Sequence, residues 1–133
     1  HQHPSARIVE GRVLVGLGVL CAMDVSDGLM IDLQKIARAS QVGIRLEPDR
    51  IPVSISLRTV FPNHSLQLAV TGGEDYDLLF TCPIRMLDSV CKKLPSSSVI
   101  GEIIDLGAGM VTLSDPPAEL SGYQSSGWEH FRR

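Results

Sequence analysis

The sequence predicts an α+β fold in which helices pack mainly on one face of a mixed β-sheet. Short apolar segments of strand length interleave with segments whose apolar residues recur every three or four positions. These segments lack the regular spacing of a doubly wound parallel sheet, and no internal repeat or linker divides the chain. The 133 residues are therefore expected to form one domain, long enough to bury a core.

The first half of the chain predicts four helical regions and two strands. Glycines interrupt the apolar pattern of residues 5–20, which favours a short helix followed by a strand over a single long helix. In chain order, the predicted elements are a helix and a strand ending near Met23, a helix from about Gly28 to Ser40, a strand at 42–46, one or two helical turns within 51–62 and a short helix at 66–70.

The second half predicts three strands and one helix. Pro83 suits the first turn of a helix whose apolar face would contain Ile84, Leu87, Val90, Cys91 and Leu94. The strands are expected at 76–82, 99–104 and 110–113, and the glycines at 107–109 predict a hairpin between the last two. The segment 114–126 is rich in Pro, Ser and Gly and is expected to be irregular.

Composition excludes several classes of protein. The formal net charge of −3 is opposed to the basic surface expected of a nucleic-acid-binding protein. No apolar run reaches the length of a membrane-spanning helix, and no signal peptide is visible. Three cysteines without zinc-type spacing indicate reduced thiols. We therefore expect a cytoplasmic protein that binds neither nucleic acid nor membrane.

Residues 22–29, Ala-Met-Asp-Val-Ser-Asp-Gly-Leu, join a buried segment to a helix N-terminus. Free N–H groups and the helix dipole at such a junction favour an anion, whereas Asp24 and Asp27 would repel a phosphate unless a cation lay between them. This combination suggests Mg²⁺ with a phosphate ester. The same pattern also fits simple helix capping by Ser26 or Asp27, and the local chemistry leaves both interpretations open.

Three ordered motifs give the sequence a family resemblance. Asp-Val-Ser-Asp-Gly-Leu at 24–29 with Asp-Leu at 32–33, Leu-Ala-Val-Thr-Gly-Gly-Glu-Asp-Tyr-Asp-Leu-Leu-Phe at 68–80 and Gly-Trp-Glu-His-Phe at 127–131 occur in the family's order. With the opening at 3–7, they make the chain similar to the C-terminal domain of thiamine-monophosphate kinase. That enzyme belongs to the ATP-dependent superfamily of aminoimidazole ribonucleotide synthetase, whose C-terminal domain has the expected α+β fold.

The resemblance implies roles for five residues. Asp24 and Asp27 would meet Mg²⁺, and Ser26 would contact the phosphates of ATP. Glu74 would contact thiamine monophosphate. Trp128 would stack on a thiamine ring, whose cationic thiazolium favours an aromatic face, with Phe131 as the alternative. No residue is expected to act as a nucleophile, because phosphoryl transfer depends on positioning and charge neutralisation.

The implied function is ATP- and Mg²⁺-dependent phosphorylation of thiamine monophosphate to thiamine diphosphate. The resemblance implies that residues 1–133 correspond to one C-terminal domain without the family's N-terminal ATP-binding domain, so the chain alone is expected to be inactive. A partner domain or a homo-oligomer would cover the exposed interface. Two alternatives stay open: a free-standing, non-catalytic domain that binds a ligand or partner, and the C-terminal half of a sibling enzyme of the superfamily.

Overall fold

The computed structural model describes residues 5–105 and 107–123, and within these ranges helices and strands interleave as an α+β fold. The helices are α1 (Ile8–Leu17), α2 (Leu29–Ser40), α3 (Ile55–Val60), α4 (Ser65–Thr71) and α5 (Leu87–Lys93). The strands are β1 (Cys21–Asp24), β2 (Gly43–Leu46), β3 (Leu78–Thr81), β4 (Gly101–Ile104) and β5 (Val111–Leu113). The predicted fold class is confirmed, and each predicted helix and strand has a counterpart.

Within the described ranges the strands form two small sheets. Strands β1 and β3 make an antiparallel pair, while β2 is the central strand of a mixed sheet between β4 and β5. β2 runs antiparallel to β4 and parallel to β5. The predicted hairpin of β4 with β5 is therefore wrong, because β2 lies between them.

The core explains why β5 joins β2. Ile44 and Leu46 of β2 are buried, and they lie directly beside Val111 and Leu113 of β5, which are also buried. The connection through 107–110 passes next to the start of β2, where the Gly109 amide donates to the Val42 carbonyl and the Ile44 amide donates to the Met110 carbonyl. A turn-like glycine pattern shows where the chain bends but not which strand it next pairs with.

Helix α2 fills the larger core. Its apolar face packs on the three-stranded sheet and on α4. The buried residues of this face are Leu29, Met30, Leu33, Ile36 and Ala37. The helix that follows the 22–29 junction is therefore fixed by apolar burial along most of its length.

A second, smaller core joins α1 and α5 to the β1–β3 sheet. Leu14 of α1 and Val90 of α5 are each 1% exposed, and they pack with Val19 and Leu94. The predicted apolar face after Pro83 is correct only in part. Ile84 is 88% exposed because the chain forms a 3₁₀ turn at Ile84–Met86 before α5, which changes the periodicity.

Two further features are the state of the cysteine thiols and the length of the helices. Cys21, Cys82 and Cys91 are free thiols, in agreement with the prediction of no disulfide. Burial, together with the nearby Cys91, raises the pKa of the Cys82 thiol. In the part of the chain that the structure describes, no helix is long and apolar enough to cross a bilayer.

Two glycine substitutions test this packing. An added Cβ at Gly101 would overlap the Arg45 carbonyl oxygen of the neighbouring strand, so Gly101→Ala is expected to lower the free energy of unfolding by about 1–3 kcal/mol. Gly16 in α1 has no atom within 4 Å of its added Cβ, so Gly16→Ala is the matched control. It is expected to stabilise by about 0.5–1 kcal/mol through helix propensity. Urea titrations measure both; equal effects would contradict the β2–β4 register.

Candidate functional site

The loop 24–28 connects the end of β1 to the start of α2. Gly28 is the N-cap of α2, with φ of +112°, and no side chain caps the helix. The interpretation of Ser26 or Asp27 as a simple helix cap is therefore wrong. An added Cβ at Gly28 would lie 2.9 Å from the Thr71 carbonyl oxygen, and φ itself disfavours any L residue, so this position requires glycine.

The backbone amides of the loop are occupied by a buried carboxylate. Oδ2 of Asp32 accepts from the Ser26 amide at 2.9 Å and from the Asp27 amide at 3.0 Å. The side chain of Asp32 is 0% exposed. The expected anion at this helix end is thus present, but it is an internal carboxylate. Any phosphate would have to use groups other than these two amides.

Lys35 links the buried carboxylate to an exposed one. Its Nζ lies 2.6 Å from Oδ1 of Asp32 and 2.6 Å from Oδ2 of Asp27. The side chain of Asp27 is 59% exposed and that of Lys35 46% exposed. Hydrogen bonds to Asp27 and then to Asp32 raise the pKa of the Lys35 ammonium group. Lys35 therefore stays charged and neutralises part of the acidic loop.

The Gly72–Gly73 segment brings the second motif against the first. The Glu74 amide donates to the Ser26 carbonyl at 2.9 Å. The Tyr76 amide donates to the Val25 carbonyl at 2.9 Å, and the Val25 amide donates to the Asp77 carbonyl at 2.8 Å. These three bonds continue the β1–β3 pairing into the loops. We call loops 24–28 and 72–77 together the paired loops.

Close packing of the paired loops explains the second glycine. A Cβ on Gly73 would lie 2.7 Å from the Ser26 carbonyl oxygen, which is a clash with backbone. Glu74 and Tyr76 then adopt left-handed backbone conformations, with φ of 67° and 54°. Such conformations cost about 1–3 kcal/mol each in non-glycine residues and often occur at functional sites. The Glu74 backbone is bonded to Ser26 in this arrangement, and the Glu74 side chain is exposed.

The paired loops carry a surplus of exposed acidic groups. Asp24, Asp27 and Glu74 are exposed, and the Asp24 carboxylate makes no hydrogen bond or ion pair with the described part of the chain. Partial burial, and next the charge of Asp77, raise the pKa of Asp75. Arg7 Nη2 pairs with Asp77 at 2.7 Å, which ties the residue before α1 to the same loop. The uncompensated carboxylates favour a bound cation.

The donor set fits a shared Mg²⁺ site and not a complete one. Among residues 5–105 and 107–123, no three Asp, Glu, His or Cys side chains form a group that could hold a metal. Mg²⁺ is often held by only one or two carboxylates together with waters and substrate phosphates. Asp24 and Asp27 have carboxylates of this kind, and Lys35 occupies one oxygen of Asp27.

Of the five residues predicted for the site, four lie on the paired loops. Asp24, Ser26 and Asp27 are on the first loop, and Glu74 is on the second, bonded to Ser26 through its backbone. Trp128 and the alternative Phe131 lie outside the described residues. The structure therefore describes the positions of four of the five predicted site residues, and their roles stay predictions.

Asp32 and Lys35 belong to the candidate site although the sequence pattern did not single them out. In the sequence, Asp32 is a charged residue between the apolar positions Leu29 and Leu33, and in the structure it is buried with them. One signal was available: Asp32 follows Leu29 by three positions and precedes Ile36 by four, so helical geometry places it on the buried face. A carboxylate at such a position needs donors, and the preceding loop supplies them.

Comparisons with known proteins support the family resemblance over most of the chain. Residues 4–114 match the family described as AIR synthase related protein, C-terminal domain. A thiamine-monophosphate kinase from Pyrococcus abyssi is 40% identical over 130 residues, which cover 98% of this chain and 39% of the relative.

Solved structures agree with the sequence comparison. The crystal structure of thiamine-monophosphate kinase from Stenotrophomonas maltophilia K279a has 34% identity and a TM-score of 0.71, covering 81% of this chain and 35% of its own. AaThiL complexed with AMPPCP and TMP has 29% identity and a TM-score of 0.67, covering 96% of this chain and 38% of its own. The chain spans 26% to 42% of the length of the curated relatives it matches.

The buried carboxylate gives a stability prediction. An asparagine at position 32 has one acceptor oxygen in place of two, and its NH₂ group would face N–H donors. Asp32→Asn is therefore expected to lower the free energy of unfolding by about 2–4 kcal/mol. Asp49→Asn, at an exposed position of the Pro48–Arg50 turn, is the matched control and is expected to change stability by less than about 0.5 kcal/mol. Equal denaturant midpoints for the two variants would contradict the role of Asp32.

Proposed function

Because the chain belongs to the family of AIR synthase related proteins and corresponds to their C-terminal domain, we propose that it is the C-terminal half of a thiamine-monophosphate kinase. Similar proteins carry that name, and one structural neighbour is a complex with AMPPCP and TMP. The observation that carries the proposal is the bonding of the Asp24–Gly28 loop to the Gly72–Asp77 loop. It gathers the acidic motif and the Glu74 motif at one exposed edge.

The proposed reaction transfers the γ-phosphoryl group of ATP to a phosphate oxygen of thiamine monophosphate. A bond forms between that oxygen and the γ-phosphorus, the bond to the β-phosphate oxygen breaks, and ADP leaves. No covalent enzyme intermediate is required, so the protein contributes positioning and electrostatic stabilisation. The products are thiamine diphosphate and ADP.

Asp24 and Asp27 are the proposed Mg²⁺ ligands. Mg²⁺, when bound, neutralises phosphate charge and orients the transferred group. Asp24 has a carboxylate without partners in the described chain, and Asp27 retains one oxygen beside the one held by Lys35. For Ser26, the amide and carbonyl are already bonded, which leaves its hydroxyl as the group for a nucleotide phosphate.

Glu74 and Trp128 are proposed to bind thiamine monophosphate. The Glu74 carboxylate is exposed at the exit of the diglycine turn, where it can contact the cationic or amino-bearing part of thiamine. The position of Glu74 next to Ser26 suits a substrate whose phosphate faces the metal. Trp128 would supply an aromatic face for a thiamine ring, with Phe131 as the alternative.

We propose that residues 1–133 act as a single C-terminal domain in the cytoplasm and require an N-terminal ATP-binding domain, or another copy of the chain, to complete the site. The shared donor set supports this requirement. The exposed apolar residues of the domain support a covered surface: Leu20 is 98% exposed, Ile55 84% and Val15 75%. The same exposed apolar side chains also favour the alternative, a free-standing domain that binds a partner without catalysis.

A chimera tests the function directly. We expect this chain to form thiamine diphosphate when it replaces the matching region of the Pyrococcus abyssi enzyme, with 40% identity over that region. Asp24→Asn and Asp27→Asn in the chimera are each expected to lower kcat/KM at least about 100-fold, because each removes a charge that holds Mg²⁺. Asp49→Asn is the control and should leave the rate unchanged.

Two results with the chimera would contradict the proposal. A folded chimera that makes no thiamine diphosphate, but whose thermal midpoint rises with an aminoimidazole ribonucleotide precursor, would favour a sibling enzyme. A folded chimera stabilised by neither ligand would favour the non-catalytic binding domain. Circular dichroism establishes that each chimera is folded.

The isolated chain is expected to have negligible kinase activity. Residues 5–105 and 107–123 contain no group of three metal-binding side chains, so we expect a full set of metal ions against ATP to need carboxylates from a second domain. The measurement is thiamine diphosphate formation from ATP and thiamine monophosphate by the purified 133-residue chain at high Mg²⁺. Turnover comparable to that of the chimera would contradict the requirement for a second domain.

A further inference from the structure

Lys35 lies between two carboxylates with different exposure. Its ammonium group contacts Asp32, which is fully buried, and Asp27, whose side chain is 59% exposed. The two contacts have the same length of 2.6 Å. Only Asp27 can therefore reach a ligand from solvent, while the contact with Asp32 holds the ammonium group at the loop.

We propose that Lys35 is an internal counter-cation for Asp27 that a divalent cation displaces, so that Lys35 sets the affinity of this site. The inference rests on the proposed function, which makes Asp27 a metal ligand. Lys35 is a positioning residue in this account and does not touch the reacting atoms. It holds the Asp27 carboxylate in one orientation until the cation takes its place.

The exposures of the two acids determine which contact breaks. An ion pair between exposed side chains contributes little, because water solvates both partners well. A buried carboxylate that loses a partner pays a large desolvation cost. An incoming cation therefore binds the Asp27 carboxylate in place of Lys35, and the Lys35 ammonium group keeps its contact with Asp32. Its remaining donors are then free, since an ammonium group has three.

The surrounding charges make Lys35 the relevant competitor. Arg7, another cation at the paired loops, is bound to Asp77 and Glu10. Asp24 and Glu74 add negative charge on the same loops. A cation that binds Asp27 thus gains attraction from these acids, and it must overcome the positive charge of Lys35 beside it.

Removing the charge of Lys35 should strengthen cation binding. Lys35→Gln retains an N–H donor for Asp32 and loses the positive charge. We expect Mn²⁺, a paramagnetic cation that prefers the same oxygen ligands as Mg²⁺, to bind this variant roughly three- to tenfold more tightly than the wild-type chain. The readout is broadening of the amide signals of residues 24–28 during an Mn²⁺ titration by NMR, which requires no enzymatic activity.

Two control variants separate the local effect from a general one. Lys92→Gln removes the same charge from an exposed position on α5, a helix that packs with α1, and should leave Mn²⁺ affinity unchanged. Lys35→Arg retains the charge and should restore the wild-type affinity. If Lys35→Gln and Lys92→Gln change the affinity equally, the proposal is overturned.

A second measurement uses the wild-type chain. During a Mg²⁺ titration, the Lys35 ammonium signal and the Asp27 carboxyl carbon signal should shift together, with one apparent affinity. A shift of Asp27 while Lys35 stays constant would overturn the displacement and leave the proposed metal role of Asp27 intact. The absence of any cation response in the wild type and in Lys35→Gln would instead overturn both the metal assignment of Asp27 and this inference.

Discussion

The site depends on one buried carboxylate. Asp32 has no exposed surface, yet its two oxygens accept hydrogen bonds from the Ser26 and Asp27 amides and from Lys35. A buried charge without such partners would strongly destabilise the fold. The bonds therefore fix the backbone of the loop before α2, and with it the direction in which the loop leaves β1.

The position of the loop determines the rest of the candidate site. Because Asp32 holds the amides of Ser26 and Asp27, the backbone groups of Val25 and Ser26 can pair with the Glu74–Asp77 segment. The glycines at 28 and 73 allow the two backbones to approach. Asp24, Asp27 and Glu74 are among the acidic side chains that these loops leave exposed. The buried carboxylate of Asp32 thus holds the loop in place, whereas the exposed carboxylates are available to bind a cation.

Local patterns predicted most of the fold. Helix α2 was predicted within one residue, because its apolar residues recur at helical spacing and most of them are buried. The order of strands was not predictable in the same way. The pattern of Val111 to Leu113 shows a half-buried strand, but its partner depends on which neighbour offers a matching apolar face, and that neighbour is β2. The burial of Asp32 was missed because the donors that satisfy its carboxylate lie in a separate loop, outside the helical pattern.

The most direct test of the central role of Asp32 is amide hydrogen exchange at Ser26 and Asp27 in the wild-type chain. Both amides lie in a loop, where exchange is normally fast, so protection must come from the Asp32 carboxylate. We expect the amides of Ser26 and Asp27 to exchange as slowly as those of the buried turns of α2. We expect both amides to lose this protection in Asp32→Asn. Exchange of these two amides at the rate of unprotected loop amides would contradict this expectation.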